Sequence, residues 1–263
     1  MIKIGIIGLG FVGKAIKDSV EFYSLVCIDS DPRKGCTGTY EELKQCDGIF
    51  VCVPSPMGEN GKCDTSILED VLLKLKDYEG VIISKVTAPP DVYQRLNKQY
   101  RNLVHSPEFL TAAKASNDYE SATWSIIGGD VKAYQYEAER IIKISQPNLK
   151  TICLCGIGEA ALAKYAINSF LATKVVFMNE LFQLANKAGL NYNDMITLIK
   201  QDHRIGTSHM KVPGEDETLG FGGHCFPKDT EALLKYAESV NANLYVLESA
   251  TKKNTMLRLT QPK

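Results

Sequence analysis

The chain has 263 residues, 44% hydrophobic and 23% charged, with a formal net charge of −1, enough for one large domain or two smaller ones. No long basic, acidic or apolar run supports binding to nucleic acid or to a membrane. The eight cysteines show no paired spacing near histidines, so no metal site is expected, and the strand-like start in place of a signal peptide points to a reduced, cytoplasmic protein.

In chain order, the apolar run 3–7 leads into Gly8-Leu9-Gly10-Phe11-Val12-Gly13 and a helical run over 14–21; a second apolar run, 25–28, ends in Asp29. Strand, glycine turn, helix and acid-ended strand, with the acid about twenty positions after the first glycine, form a dinucleotide-binding pattern. Gly8 permits the tight turn, Gly10 lets the backbone approach a pyrophosphate, and Gly13 lets helix and strand pack closely. The helix N-terminus at Phe11 and Val12 attracts the phosphate charge. Asp29 suits the adenosine ribose hydroxyls, which selects NAD over NADP. Arg33 and Lys34 lie within reach of a 2′-phosphate, but an anionic Asp29 would repel it.

The alternation continues with strands expected at 48–53, 81–84, 103–105, 124–129 and 150–154, and helices at 66–78 and 131–145. It predicts a parallel sheet covered on both faces, with ligands outside the carboxyl ends of the strands. Cys27, Cys52 and Cys153 fall in the strand-like runs and read as small hydrophobes. A helix over 160–188, free of glycine and proline, would extend roughly 45 Å and end at Gly189. Apolar residues occupy most of its faces, so other elements or a partner chain should bury it. Lys164 and Asn168 lie four apart on one of those faces. The fold class expected is α/β: an N-terminal Rossmann-type parallel sheet over 1–156, then an all-α central domain over 157–263 built on the long helix.

The segment Gly220-Phe221-Gly222-Gly223-His224-Cys225-Phe226-Pro227-Lys228-Asp229 sets a cysteine in a glycine-rich turn before a helix read at 230–239. A thiolate adds readily to an aldehyde, and nearby cations or a helix N-terminus favour it. Alone, the segment also suits an inert buried thiol beside a helix cap at Asp229. His203, His209 and His224 share no metal-binding spacing.

This segment resembles the catalytic-cysteine signature of the nucleotide-sugar 6-dehydrogenase family, the UDP-glucose and GDP-mannose dehydrogenases. Residues 162–172, Leu-Ala-Lys-Tyr-Ala-Ile-Asn-Ser-Phe-Leu-Ala, with Asn179-Glu180, resemble the family's central helix. Val53-Pro54-Ser55-Pro56 resembles its third-strand turn, Lys85-Val86-Thr87-Ala88-Pro89 its Ser-Thr-Val-Pro turn, and Ser106-Pro107-Glu108-Phe109-Leu110 its Asn-Pro-Glu-Phe-Leu motif. His203-Arg204-Ile205-Gly206 resembles a segment upstream of the cysteine loop. The chain departs from the pattern at Thr111-Ala112-Ala113, where the family continues with a charged residue and then Glu or Gly.

The resemblance implies a four-electron oxidation of a sugar C6 alcohol to a carboxylate, UDP-glucose to UDP-glucuronate foremost, with NAD as cofactor. It implies that Cys225 is the nucleophile, that Asp229 is a general base acting through water, and that Lys164 and Asn168 stabilise the oxyanion. Thr87 and Glu108 would place the hydrolytic water, with Ser55 and Thr87 near the cofactor. Glu108, Phe109, Leu110, Lys164, Asn168, Gly222 and Lys228 would meet the substrate, as would Arg204 from the neighbouring subunit of a homodimer formed through the long helix. Family members carry a third, nucleotide-holding domain, whereas this sequence stops at Lys263, as a short form, a fragment or an enzyme for a smaller substrate. Two other readings stay open: a two-domain 3-hydroxyacid-type dehydrogenase, and an NAD-binding subunit without catalysis.

Overall fold

Strands that are apolar on both sides must be covered on both sides, and the first part of the chain is built on that requirement. The structure, a computed structural model, describes residues 2–20 and 23–259, so the expected helix end at Glu21 lies outside the described residues. The chain falls into two units, Met1–Gly58 with Cys63–Lys164, and Glu59–Lys62 with Tyr165–Lys263.

The first unit runs β1 (Lys3–Ile7), α1 (Phe11–Ser19), β2 (Ser24–Ile28), α2 (Tyr40–Leu43), β3 (Gly48–Val51), α3 (Ser66–Lys74), β4 (Val81–Ser84) and α4 (Pro90–Gln99). It continues through β5 (Leu103–His105), α5 (Ala115–Glu120), β6 (Trp124–Gly128), α6 (Lys132–Ser145) and β7 (Thr151–Cys155). The seven strands form one sheet in the order β2-β1-β3-β4-β5-β6-β7. Side chains alternate between its faces. Ile4, Ile6, Phe50 and Ile83 pack with Ile16 of α1, Tyr119 of α5 and Ile141 of α6. Ile7, Ile49, Val51 and Ile82 pack with Leu72 of α3 and Tyr93 of α4 on the other face. Strand order reverses between β1 and β3, which puts the glycine turn after β1 at the switch point where such sheets bind ligands.

The sheet is not wholly parallel. β6 runs antiparallel to β5, joined through His105 and Gly128, while β6 and β7 are parallel to each other. The connecting α5 packs on α1 and does not carry the chain back over the sheet, so the chain enters β6 running against β5. β7 is an edge strand, and Cys153 on it is exposed, unlike the buried Cys27. The expected small-hydrophobe role thus fails at Cys153, which lies exposed on that edge strand.

The long helix α7 (Ile157–Lys187) begins three residues before the expected start, at a length of roughly 46 Å. Beyond it lie α8 (Tyr192–Ile199), α9 (Cys225–Ser239) and α10 (Tyr245–Leu259), with no strand among the described residues of this region. Cys225 is the first residue of α9, five positions before the expected helix start. Pro227 falls in the first turn, where a missing N–H costs no hydrogen bond, so it starts the helix and does not precede it. No helix among the described residues is long and apolar enough to cross a membrane.

Leu72 and Leu73 are neighbours on α3, the first fully buried and the second 60% exposed. Leu72→Ala should lower unfolding stability by about 2–5 kcal/mol, and Leu73→Ala by less than about 0.5 kcal/mol, as read by urea denaturation. Equal losses would contradict the orientation of this helix.

Candidate active site

The glycine turn behaves as its spacing requires. Gly8 has a φ of +89°, and a Cβ there would lie 2.7 Å from the Cys52 carbonyl oxygen. A Cβ on Gly13 would run into the Gly8 carbonyl, whereas nothing lies within 4 Å of one on Gly10. The open position is therefore the one where a pyrophosphate would approach. Gly10 caps α1, so the first amides, from Phe11 onward, are not used within the helix. Those residues fit a dinucleotide.

Asp29 holds the turn from the next strand. Its carboxylate accepts from the Leu9 N–H at 2.6 Å and the Asp31 N–H at 2.8 Å, with Lys34 Nζ at 3.3 Å. Burial pushes its pKa up, but those two amides and Lys34 outweigh burial and hold it below the usual carboxylate range. Arg33 forms a two-point pair with Asp31 at 2.9 Å, so both cations beyond the strand are already matched by carboxylates.

Two further turns sit at the carboxyl ends of neighbouring strands. After β4, the Thr87 carbonyl accepts from Ser55 Oγ at 2.7 Å and from Cys63 Sγ at 3.4 Å. Ser55 and Thr87 are thus brought together, and Cys63 joins them without any sequence signal. After β5, Glu108 Oε2 accepts from the Leu110 N–H at 2.6 Å, and Oε1 lies 3.3 Å from Lys164 Nζ. Lys164 also donates to the Glu108 carbonyl, and its ammonium lies 4.9 Å from the centre of the Phe109 ring. The Lys164 and Glu108 side chains are only 4% and 8% exposed, so this is a buried ion pair.

The second unit holds the other carboxylate. Asp229, fully buried on the first turns of α9, accepts from Asn168 Nδ2 at 2.6 Å and from Lys228 Nζ at 2.6 Å. Lys164 and Asn168, expected to stabilise the oxyanion, each bind a different carboxylate in this structure. Cys225 is half-buried at the helix N-terminus, where the macrodipole and unpaired amides favour an anion. Gly220 and Gly223 both adopt positive φ. The loop between them is held by three side chains: Asn179 accepts from the Gly220 N–H at 3.0 Å, Asn254 binds both backbone groups of Phe221, and Arg258 donates to the Phe221 carbonyl at 2.9 Å. A Cβ on Gly222 would strike the Arg258 guanidinium. Asn254 and Arg258 escaped the sequence reading because only a helix-period pattern surrounds them. Arg204 is exposed and paired with Asp202 at 2.6 Å. No group of metal-binding side chains occurs among the described residues.

Comparison with known proteins adds an independent line. Residues 34–146 match the UDP-glucose/GDP-mannose dehydrogenase family, NAD binding domain, and residues 158–256 match its central domain. The first match starts after the glycine turn and Asp29, which therefore stand on their own geometry. A UDP-glucose 6-dehydrogenase of Pseudomonas aeruginosa is 32% identical over 233 residues, 81% of this chain and 49% of that protein. One from Rickettsia felis is 31% identical over 226 residues, 81% of this chain and 48% of that protein. The chain thus spans about half the length of these relatives. Its fold matches a UDP-glucose dehydrogenase structure from Pyrobaculum islandicum with a TM-score of 0.82 at 23% identity, over 97% of this chain and 68% of that one. It also matches a 3-hydroxyisobutyrate dehydrogenase from Mycobacterium tuberculosis with a TM-score of 0.76 at 17% identity, over 99% and 94%.

Removing one partner of a buried ion pair strands the other. Lys164→Met should therefore cost about 3–5 kcal/mol of unfolding stability. Adding Glu108→Gln to it should restore part of that loss, as urea denaturation of the single and double variants will show.

Proposed function

Since the chain belongs to the UDP-glucose/GDP-mannose dehydrogenase family, we propose that it oxidises the C6 primary alcohol of a nucleotide sugar to a carboxylate, UDP-glucose to UDP-glucuronate, with NAD. The observation that carries this reading is Cys225 at the first position of α9, one turn before a buried Asp229 whose two oxygens are held by Asn168 and Lys228.

The Gly8–Gly13 turn and Asp29 would hold NAD, which would supply the hydride acceptor for two successive oxidations. The Cys225 sulfur adds to the aldehyde carbon left by the first oxidation, and the carbonyl oxygen takes up a proton. Loss of the second hydride and of that hydroxyl proton leaves a thioester. Water then attacks the thioester carbon, the C–S bond breaks, and the thiolate departs from the carboxylate. Asp229 takes the proton through water, oriented by its two partners. Glu108 acts on the hydrolytic water with Thr87, and Lys164 and Asn168 supply the positive charge and the amide dipole that favour the oxyanion. On this reading Phe109, Leu110, Gly222 and Lys228 would meet the substrate.

A homodimer through α7 belongs to this reading. Phe170, Phe177 and Leu184 recur at seven-residue intervals on the helix and are 68%, 54% and 62% exposed, a stripe that a second copy would cover. Arg204, on an exposed loop, would then serve the partner's site. A second reading, a two-domain 3-hydroxyacid-type dehydrogenase, is favoured by the fold match to the Mycobacterium tuberculosis structure. That class does not need the cysteine loop.

Incubation with NAD and a panel of UDP- and GDP-sugars should release two NADH for each sugar acid formed. Turnover confined to a small hydroxy acid would instead support the second reading, and NAD binding without any turnover would leave a binding subunit. Cys225→Ser should abolish carboxylate formation while NAD still binds; undiminished turnover by that variant would remove the thioester route. Light scattering should give the mass of two chains, reduced to one by the pair Phe170→Asp and Phe177→Asp.

A further inference from the structure

Lys85, just past the end of β4, is 5% exposed and outside every role assigned above. Its ammonium donates to Ser106 Oγ at 2.9 Å and lies between the rings of Phe50 and Tyr119, at 6.0 and 5.9 Å. Among the described residues this is its one hydrogen bond, and it forms no ion pair at contact distance. Ser106 lies two residues before Glu108. Lys85 and Glu108 also share the lining of a cavity of about 150 Å³, together with Asp118, Tyr119, Ser125 and Gln146, while Lys164 is not part of that lining.

A buried ammonium with no carboxylate in contact would be costly unless a nearby charge repaid it. Two anion-forming groups act on Lys85: Cys52 after β3 and Glu108 after β5. Burial pushes Cys52 up to about 12, so it stays a neutral thiol, and the remaining charge is that of Glu108. Burial takes Lys85 down to about 8 against the pull of those groups, so it is still cationic at neutral pH. His105 on β5 is pushed down to about 3 by burial and stays neutral, and burial raises Tyr119 on α5 far above neutrality. Lys164 from α7 meets Glu108 directly, and Asp118 from α5 and Lys85 share the cavity that Glu108 lines.

We propose that Lys85 is a positioning residue for Glu108: seated on Ser106, two residues before it, and sharing the cavity that the carboxylate lines, its ammonium holds the 106–110 turn and Glu108 in place. The inference rests on the reading of Glu108 as the group that acts on the hydrolytic water.

The test uses the full chain with Lys85→Met, Lys85→Arg, Glu108→Gln and the Lys85→Met/Glu108→Gln pair. Melting temperatures at pH 7 should be non-additive by about 2–4 °C, and the coupling should fade at pH 9.5, where Lys85 is neutral. In carboxylate formation, kcat should fall about tenfold in Lys85→Met, recover in Lys85→Arg, and fall no further when Lys85→Met is added to Glu108→Gln. Additive melting temperatures at both pH values, or an unchanged kcat in Lys85→Met, would overturn the inference. Equal losses in Lys85→Met and Lys85→Arg would do so too, since they would mark a packing role. If the wild type forms no sugar acid, the reading of Glu108 fails, and the melting-temperature cycle still decides whether Lys85 acts on that carboxylate.

Discussion

A carboxylate taken out of water must be met by donors or cations, because the desolvation cost of an unmatched charge is several kcal/mol. That constraint organises the chemistry of both units. Glu108 is held by the Leu110 amide and Lys164, and Asp229 by Asn168 and Lys228. In each case both oxygens are engaged within the protein, so the carboxylate has a fixed direction before any ligand arrives. Groups fixed in this way lose little freedom during a reaction, which is how a folded scaffold lowers a barrier.

Close backbone approach is the second constraint. At Gly8 and Gly13 the turn and α1 press so tightly on the sheet that a side chain has no room, yet Gly10 between them stays open. The cysteine loop uses glycine differently: Gly220 and Gly223 supply positive φ, and Asn179, Asn254 and Arg258 hold the bent backbone in place. Side chains on two helices thus set the loop in front of Cys225. Changes at these supports would act on Cys225 without touching it.

The same fold occurs in a UDP-glucose dehydrogenase structure from Pyrobaculum islandicum and in a 3-hydroxyisobutyrate dehydrogenase structure from Mycobacterium tuberculosis. The fold therefore says little about the substrate. What separates the readings is the loop at 220–229 and the domain family matched over 34–146 and 158–256.

The residue order by itself determined the strand–turn–helix start, the sheet's covered faces, the long helix and the glycine turns. Those features depend on local backbone demands and on the period of apolar side chains, which neighbouring residues carry. Sequence patterns also placed the chemistry-bearing residues at Glu108, Lys164, Asn168, Cys225 and Asp229, though through likeness and not through geometry. Only the tertiary structure decided their partners. Lys164 meets Glu108 across 56 positions and Asn168 meets Asp229 across 61, and no local pattern encodes a contact at that separation. The direction of β6, the exposure of Cys153 at the edge strand, and the burial of Lys85 beside Glu108 were settled the same way. Each depends on which elements pack together, and burial then sets how strongly every charge must be answered.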